Sequence, residues 1–321
     1  MTTYKEIFGK YVKNYSSDPT DDIEGQVWYN STTGVFKTNL AGAAAWAAGG
    51  NMGTARTTLA GAGTQTAGLG FGGQTTTQSA ATEEYDGSAW TGGGNMGTAR
   101  RRLAGAGIQT AGLAFGGSTY PPTTNLNSTE EYDGSAWTGG GNLATARRVL
   151  AGAGIQTAGL AFGGLTTTAV NNTEEYNGSA WTAGGNLNTA TYDLAGCGLQ
   201  TAGLAFGGNT TVLTNATEEY DGSAWTAGGN LNTARSELAG AGIQTAALGF
   251  GGFTTVGVAN TEEYNGTSWT ASTAMTTARR GLGGAGTQTA GLGFAGFTTV
   301  NVANTEEYSD PTFTTKTITT S

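Results

Sequence analysis

The stretch RRRLAGAGIQTAGLAFGG at Arg100–Gly117, followed after a loop by TEEYDGSAW at Thr129–Trp137, decides the fold, because the chain repeats it. The TEEY core recurs at Thr82–Tyr85, Thr173–Tyr176, Thr217–Tyr220, Thr261–Tyr264 and Thr305–Tyr308, making six copies with the one quoted. The accompanying tryptophans are Trp46, Trp90, Trp137, Trp181, Trp225 and Trp269, in steps of 44, 47, 44, 44 and 44 residues. A fixed period of this size marks supersecondary units that bury their apolar faces only against their neighbours. Six such units make one structure out of most of the 321 residues.

Each unit divides into four short strands. LAGAGIQ and TAGLAFGG are rich in Ala and Gly, as strands crowded near an axis would be. TEEY alternates, placing Glu83 and Tyr85 on one face of a strand and Glu84 on the other. Between TEEY and the Trp strand stand Asp86-Gly87, Asp133-Gly134, Asn177-Gly178, Asp221-Gly222 and Asn265-Gly266. Asx-Gly at this place predicts a tight hairpin with both turn residues at positive φ. The sixth unit has Ser309-Asp310-Pro311 instead, and Pro311 lacks the donor a central strand needs. Its fourth strand therefore comes either from the segment holding Trp46, which would join the chain's two ends, or from the segment holding Phe313. Both readings give six units.

The doublets Gly72-Gly73, Gly116-Gly117, Gly163-Gly164, Gly207-Gly208 and Gly251-Gly252, the Tyr that follows each and the Trp five residues further resemble the kelch repeat. An Arg after the Trp strand (Arg56, Arg100, Arg147, Arg235, Arg279) fits as well. The resemblance implies an all-β fold: a six-bladed kelch-like β-propeller over residues 39–321, with residues 1–38 as a short helix/hairpin extension. Departures are Ala295-Gly296 in place of the sixth doublet and Thr191 in place of the Arg in the fourth unit. The WD repeat, of similar period, fits less well, because Thr rather than Asp follows the Trp in five of the six copies and no Gly-His occurs.

In residues 1–38, Tyr4, Phe8 and Tyr11 are spaced i, i+4, i+7 and predict a short amphipathic helix. SSDPTDD then predicts a turn, and GQVWYNSTTGVFKT (Gly25–Thr38) two β-prone runs around Ser-Thr-Thr-Gly, hence a hairpin. The aromatic set Trp28, Tyr29 and Phe36 is too small to build a core. It reads either as a cap on the repeat structure or as a docking segment, with Tyr4, Phe8, Tyr11, Trp28 and Tyr29 as the docking residues. This stretch, followed by a monotonous Gly/Ala/Thr-rich repeat, is similar to segments of tailed-phage virion proteins. That similarity implies a virion location after assembly in the host cytoplasm. It also implies several copies per particle, contacts with other virion proteins through residues 1–38, and a host-surface glycan or protein as ligand.

Composition narrows the chemistry. A net charge of −9 and a pI near 4.5 argue against a nucleic-acid partner, which requires clustered Lys and Arg. No apolar run approaches the roughly 18 residues of a membrane span, so no membrane insertion is expected. No signal-peptide pattern opens the chain, so export by that route is not expected either. The sequence has no His and one Cys, Cys197, which leaves no ligands for ordinary zinc or copper sites and no Ser/His/Asp or Cys/His nucleophile. Cys197 stands where other units have Ala and reads as a small buried residue. No Asp-rich loop points to Ca²⁺. Neither catalytic residues, cofactor nor metal is expected.

Six Glu-Glu pairs hold twelve of the 23 acidic residues. A glycosidase sets two carboxylates in different environments, whereas these repeat identically. They read as structural, each inward Glu taking the repeated Arg as partner, Glu84 with Arg100 for instance. The arginines in turn read as part of the repeat. Variation falls instead in the segments between doublet and TEEY: Gln74–Ala81, Ser118–Ser128, Leu165–Asn172, Asn209–Ala216, Phe253–Asn260 and Phe297–Asn304. Loops on a rigid scaffold carry binding. Tyr120, Pro121, Leu165, Val212, Phe253 and Phe297, apolar residues in otherwise polar loops, are the candidate partner- or receptor-binding residues. Packing of the same side chains against the next loop is the competing reading. The expected function is a non-enzymatic virion structural protein that displays its propeller for host adhesion or particle decoration. A cellular kelch-type interaction module is the alternative, with a glycan-active enzyme third.

Overall fold

The computed structural model describes residues 12–19, 26–40, 42–310 and 314–318. Strands and turns account for all regular structure among them; none is helical. The helix expected around Tyr4, Phe8 and Tyr11 falls outside the described residues. The chain divides into two compact units, Met1–Ala44 with Asp310–Ser321, and Ala45–Ser309.

In the first unit the expected hairpin pairs Val27–Asn30 with Val35–Leu40 across Ser31–Gly34. Asn30 Oδ1 accepts the N–H groups of Thr32 and Thr33 at 3.0 Å, and Gly34 supplies the turn's positive φ of 73°. Lys13–Tyr15 lies parallel beside the first strand, and Thr314–Thr317 antiparallel beside the second. Both ends of the chain thus contribute to one sheet. The Asp18 carboxylate accepts from Lys37 Nζ (2.7 Å), Asn30 Nδ2 (2.7 Å) and Trp28 Nε1 (3.3 Å).

Ala45–Ser309 is a propeller-like repeat of six four-stranded antiparallel sheets. Five follow chain order, as in Ala104–Ile108, Ala111–Phe115, Thr129–Tyr132, Trp137–Gly139. The sixth joins Gly283–Gly286, Ala290–Phe294 and Thr305–Ser309 to Ala45–Ala48, with Tyr308 opposite Trp46 in the register that Tyr132 and Trp137 show. The Trp46 segment is therefore the closing strand.

The first strands of the six sheets pack side by side in a closed cycle, the last against the first. This crowding explains the Ala/Gly composition: a Cβ on Gly152 would meet the Gly105 carbonyl oxygen at 2.8 Å and the Phe115 ring at 2.5 Å. Between sheets the repeat residues interlock. Each repeat Trp ring packs at a tilt of 52–58° against the second-strand Phe of the preceding sheet (Trp137 against Phe71, Trp46 against Phe250), with centroids 4.7–5.1 Å apart. Each indole N–H donates to the Thr of that sheet's TEEY at 2.8–3.0 Å. Each Tyr hydroxyl donates to the second Glu of the preceding TEEY, Tyr132 to Glu84 at 2.5 Å for example.

Two expectations need correcting. Arg100 pairs with Glu130, not Glu84. The arginine precedes the first strand of its own sheet, so the carboxylate it reaches belongs to the TEEY that follows it in sequence; Arg56–Glu83, Arg147–Glu174, Arg235–Glu262 and Arg279–Glu306 repeat the pattern. All five arginines are fully buried. The Asx-Gly turns are not two-residue turns either. Tyr85 pairs with Trp90, leaving a four-residue loop in which Gly87 takes positive φ and Asp86 does not. Asp86 Oδ1 instead accepts the Ser88 and Ala89 N–H groups at 2.8 Å, an Asx turn.

Closure predicts that Trp46→Ala, which removes a nearly buried indole and its Thr261 hydrogen bond, costs about 3–5 kcal/mol; an unchanged melting temperature would contradict it. In the fourth sheet, where Thr191 replaces Arg, a cavity of about 10 Å³ lies among Thr191, Ala205, Ala216 and Glu218. Arg56 elsewhere fills the equivalent place, donating to the carbonyls of Gly70, Gly72 and Ala81 and to Glu83. Thr191→Arg is expected to raise stability by about 1–2 kcal/mol, since it adds a cationic partner to the buried Glu218 carboxylate, which here accepts from Asn188 and Thr189; calorimetry checks this, and a lower melting temperature would refute it.

Candidate functional site

Each repeated Arg, or Thr191, is followed by two residues and then an invariant Leu: Thr57-Thr58-Leu59, Arg101-Arg102-Leu103, Arg148-Val149-Leu150, Tyr192-Asp193-Leu194, Ser236-Glu237-Leu238 and Arg280-Gly281-Leu282. The first residue of each pair bridges to the opening residue of its sheet's variable loop, as in Arg148 with Leu165 and Ser236 with Phe253. The loops and these pairs therefore share one face of the ring.

The second residue is the unusual one. Thr58, Arg102, Val149, Asp193, Glu237 and Gly281 all have φ between 50° and 58°. For β-branched Thr58 and Val149 this left-handed region is strongly disfavoured. It persists because their backbones form a closed cycle. Arg102 N–H donates to the Thr58 carbonyl, Val149 to Arg102, Asp193 to Val149, Glu237 to Asp193, Gly281 to Glu237 and Thr58 to Gly281, all at 2.7–2.9 Å. The buried leucines lie beneath. Together they line a cavity of about 90 Å³ at the ring's axis.

Because the backbone alone makes this cycle, the side chains on it are free to differ, and they carry the face's charge. The six variable loops contain no charged residue. Of the nine arginines, five serve the buried Glu pairs; the other four, Arg101, Arg102, Arg148 and Arg280, are all in the axial pairs, with Asp193 and Glu237. Burial lowers the pKa of Arg101, and repulsion from Arg102 and Arg148 adds to it; Arg148 is lowered by burial and by Arg102, with Asp193 opposing. Burial, then the Glu237 charge, pushes Asp193 up to about 7 against the pull of Arg102, Arg148 and Arg280. Its carboxylate has no hydrogen bond or ion pair among the described residues.

Several candidates named from the sequence gather here. The Arg101 guanidinium stacks over the Tyr120 ring at 4.6 Å and donates to Gln74 Oε1. Arg280 lies over Phe253 at 4.4 Å and Phe297 at 5.3 Å, with Glu237 at 3.6 Å. These cation–π contacts tie the half-buried Phe253 and Phe297 into the axial cluster, and Leu165 joins it through Arg148. Pro121 and Val212 stand exposed in their loops, Val212 at 69 % and Tyr120 at 49 %. In the other unit Trp28 is fully buried, while Tyr29 is half-buried with its ring 5.2 Å from Phe36. Tyr4, Phe8 and Tyr11 lie outside the described residues. Reading all arginines as part of the repeat missed Arg101, Arg102, Arg148 and Arg280, and with them Asp193 and Glu237. The signal was present: no two copies have the same pair of residues before the Leu.

Burial pushes the Cys197 thiol up to about 12, and the side chain is buried, which disfavours the thiolate. Among the described residues no group of three His, Cys, Asp or Glu side chains is placed to hold a metal. No family model and no curated protein matches the chain.

An acid whose folded pKa is raised is disfavoured when charged, so its cost to stability appears as pH rises from about 4 through 7. Asp193→Asn is therefore expected to stabilise the ring at pH 8 by on the order of 2 kcal/mol, less than the full shift implies because solvent screens a partly accessible group. The gain should vanish near pH 4. Melting curves at the two pH values check this, and an equal effect at both would contradict it.

Proposed function

We propose that Ala45–Ser309 is a six-bladed kelch-like β-propeller that serves a non-enzymatic virion structural protein as a display platform, its variable face turned to a host surface and residues 1–38 docking it on the particle. The observation that carries this reading is the separation of roles in the repeat. Residues shared by the copies interlock the sheets, whereas the charged and aromatic side chains that break the repeat collect on one face, apart from Asp–Asn exchanges in the turns. A rigid ring with one individualised face suits recognition. The repeated carboxylates, each held by Arg or Tyr or, for Glu218, by Asn188 and Thr189, leave among them no pair set in two different environments for catalysis. The hairpin at Val27–Leu40 supports attachment only through its likeness to virion segments.

Antibody against the chain, applied to purified particles and viewed by electron microscopy, tests the proposal. Label at regular positions on capsid, neck or tail is expected. Recovery solely as free protein would overturn it and favour the kelch-type interaction module.

A further inference from the structure

We propose that the axial mouth binds an acidic sugar residue, its carboxylate on the Arg102–Arg148 side and its hydroxyls on Asp193 and Glu237. The inference rests on the reading of this face as the recognition surface and names the chemistry it recognises.

Geometry leads to this ligand class. The mouth is a real cavity, and Thr58, Arg102, Val149, Asp193 and Glu237 line it. Its charges are arranged by side: Arg101, Arg102 and Arg148 come from the second and third sheets, Asp193 and Glu237 from the fourth and fifth, with Arg280 of the sixth sheet 3.6 Å from Glu237. Going round the cycle of six, Glu237 is three steps from Arg102, hence across the mouth. Three guanidiniums that repel one another, in a chain of net charge −9, form a basic spot on a face whose loops are uncharged. Arg101 and Arg148 each donate to a loop side chain, Gln74 and Asn125, which leaves Arg102 as the guanidinium lining the cavity to pair with an anion, and guanidinium–carboxylate pairs are among the stronger hydrogen-bonded contacts. A bare anion would meet two carboxylates on the other side. A ligand that joins one negative group to several hydroxyl donors satisfies both halves, because hydroxyls donate to carboxylates. Tyr120, half-exposed over Arg101, offers a ring face for the adjoining sugar.

Titration follows from the same arrangement. The groups facing Asp193 are Glu237, Arg102, Arg148 and Arg280. When Asp193 takes up its proton the mouth gains a unit of positive charge, so affinity for an anionic sugar should rise as pH falls from 8 to 6.

Calorimetric titration of the full chain with D-glucuronic acid, D-glucose and inorganic phosphate tests this. Glucuronic acid is expected to bind at least tenfold more tightly than the other two. The double substitution R101T/R102T copies the Thr57-Thr58 pair of the first sheet, so the fold has a precedent for it. It should weaken glucuronic acid by roughly 10- to 100-fold; a β-branched Thr at the positive φ of position 102 lowers the melting temperature without unfolding the ring, and a melting curve records that loss separately from binding. Asp193→Asn should abolish the gain between pH 8 and 6. Glucose or phosphate binding as tightly, no heat with millimolar glucuronic acid, or an unaffected double variant would each overturn the axial assignment. Those failures leave the particle-labelling result untouched, and loss of particle labelling overturns the display reading whatever the sugar titration gives.

Discussion

Six backbone hydrogen bonds around the axis, each from a residue in the left-handed region to its counterpart in the preceding sheet, set the terms for the larger unit. Holding Thr58 and Val149 at positive φ costs roughly 1–3 kcal/mol apiece. A single sheet could not sustain that cost. The cycle does, because the interfaces between sheets repeat the same Trp–Thr, Tyr–Glu and Trp–Phe contacts and leave no free edge between the last sheet and the first. The first strand of each sheet starts one buried Leu past its cycle residue, so the cycle fixes where every sheet begins.

The same constraint separates scaffold from surface. A contact made by main-chain atoms tolerates any side chain, and the residues on the cycle range from Gly through Thr and Val to Arg, Asp and Glu. Positions held by side chains show the reverse: the Thr, both Glu and the Tyr of TEEY each have an assigned partner, and none of the four varies. Charge follows this division. The buried Arg–Glu pairs lie deep within the sheets, where removing one partner strands a charge. Arg102 lines the axial cavity, with Arg101, Arg148 and Arg280 on the same face beside it.

Much of this was legible in the sequence. The period, the Trp strand, the Val27–Leu40 hairpin and the crowded Ala/Gly strands are local patterns, and the proline after the last TEEY left Trp46 as one of two closing strands. What was not legible depends on geometry without a local signature. The Arg100 partner is set by which TEEY shares its sheet, and Glu84 stood closer in sequence than Glu130. Asp86 looked like half of a tight turn because the pattern Asx-Gly serves two kinds of loop. The axial cycle was hidden because left-handed backbone is expected of Gly, and only Gly281 among the six is one. Tyr120, Phe253 and Phe297 were found as loop aromatics, but the arginines that gather them toward the axis were absorbed into the repeat.

Amide hydrogen exchange at Thr58, Arg102, Val149, Asp193, Glu237 and Gly281 tests the closed cycle most directly. If it opens only as a whole, all six amides, corrected for their intrinsic rates, share one slow rate equal to that of global unfolding. Faster exchange confined to Thr58, whose N–H bonds the Gly281 carbonyl across the junction of the first and last sheets, would show that the ring parts there, and would contradict the account.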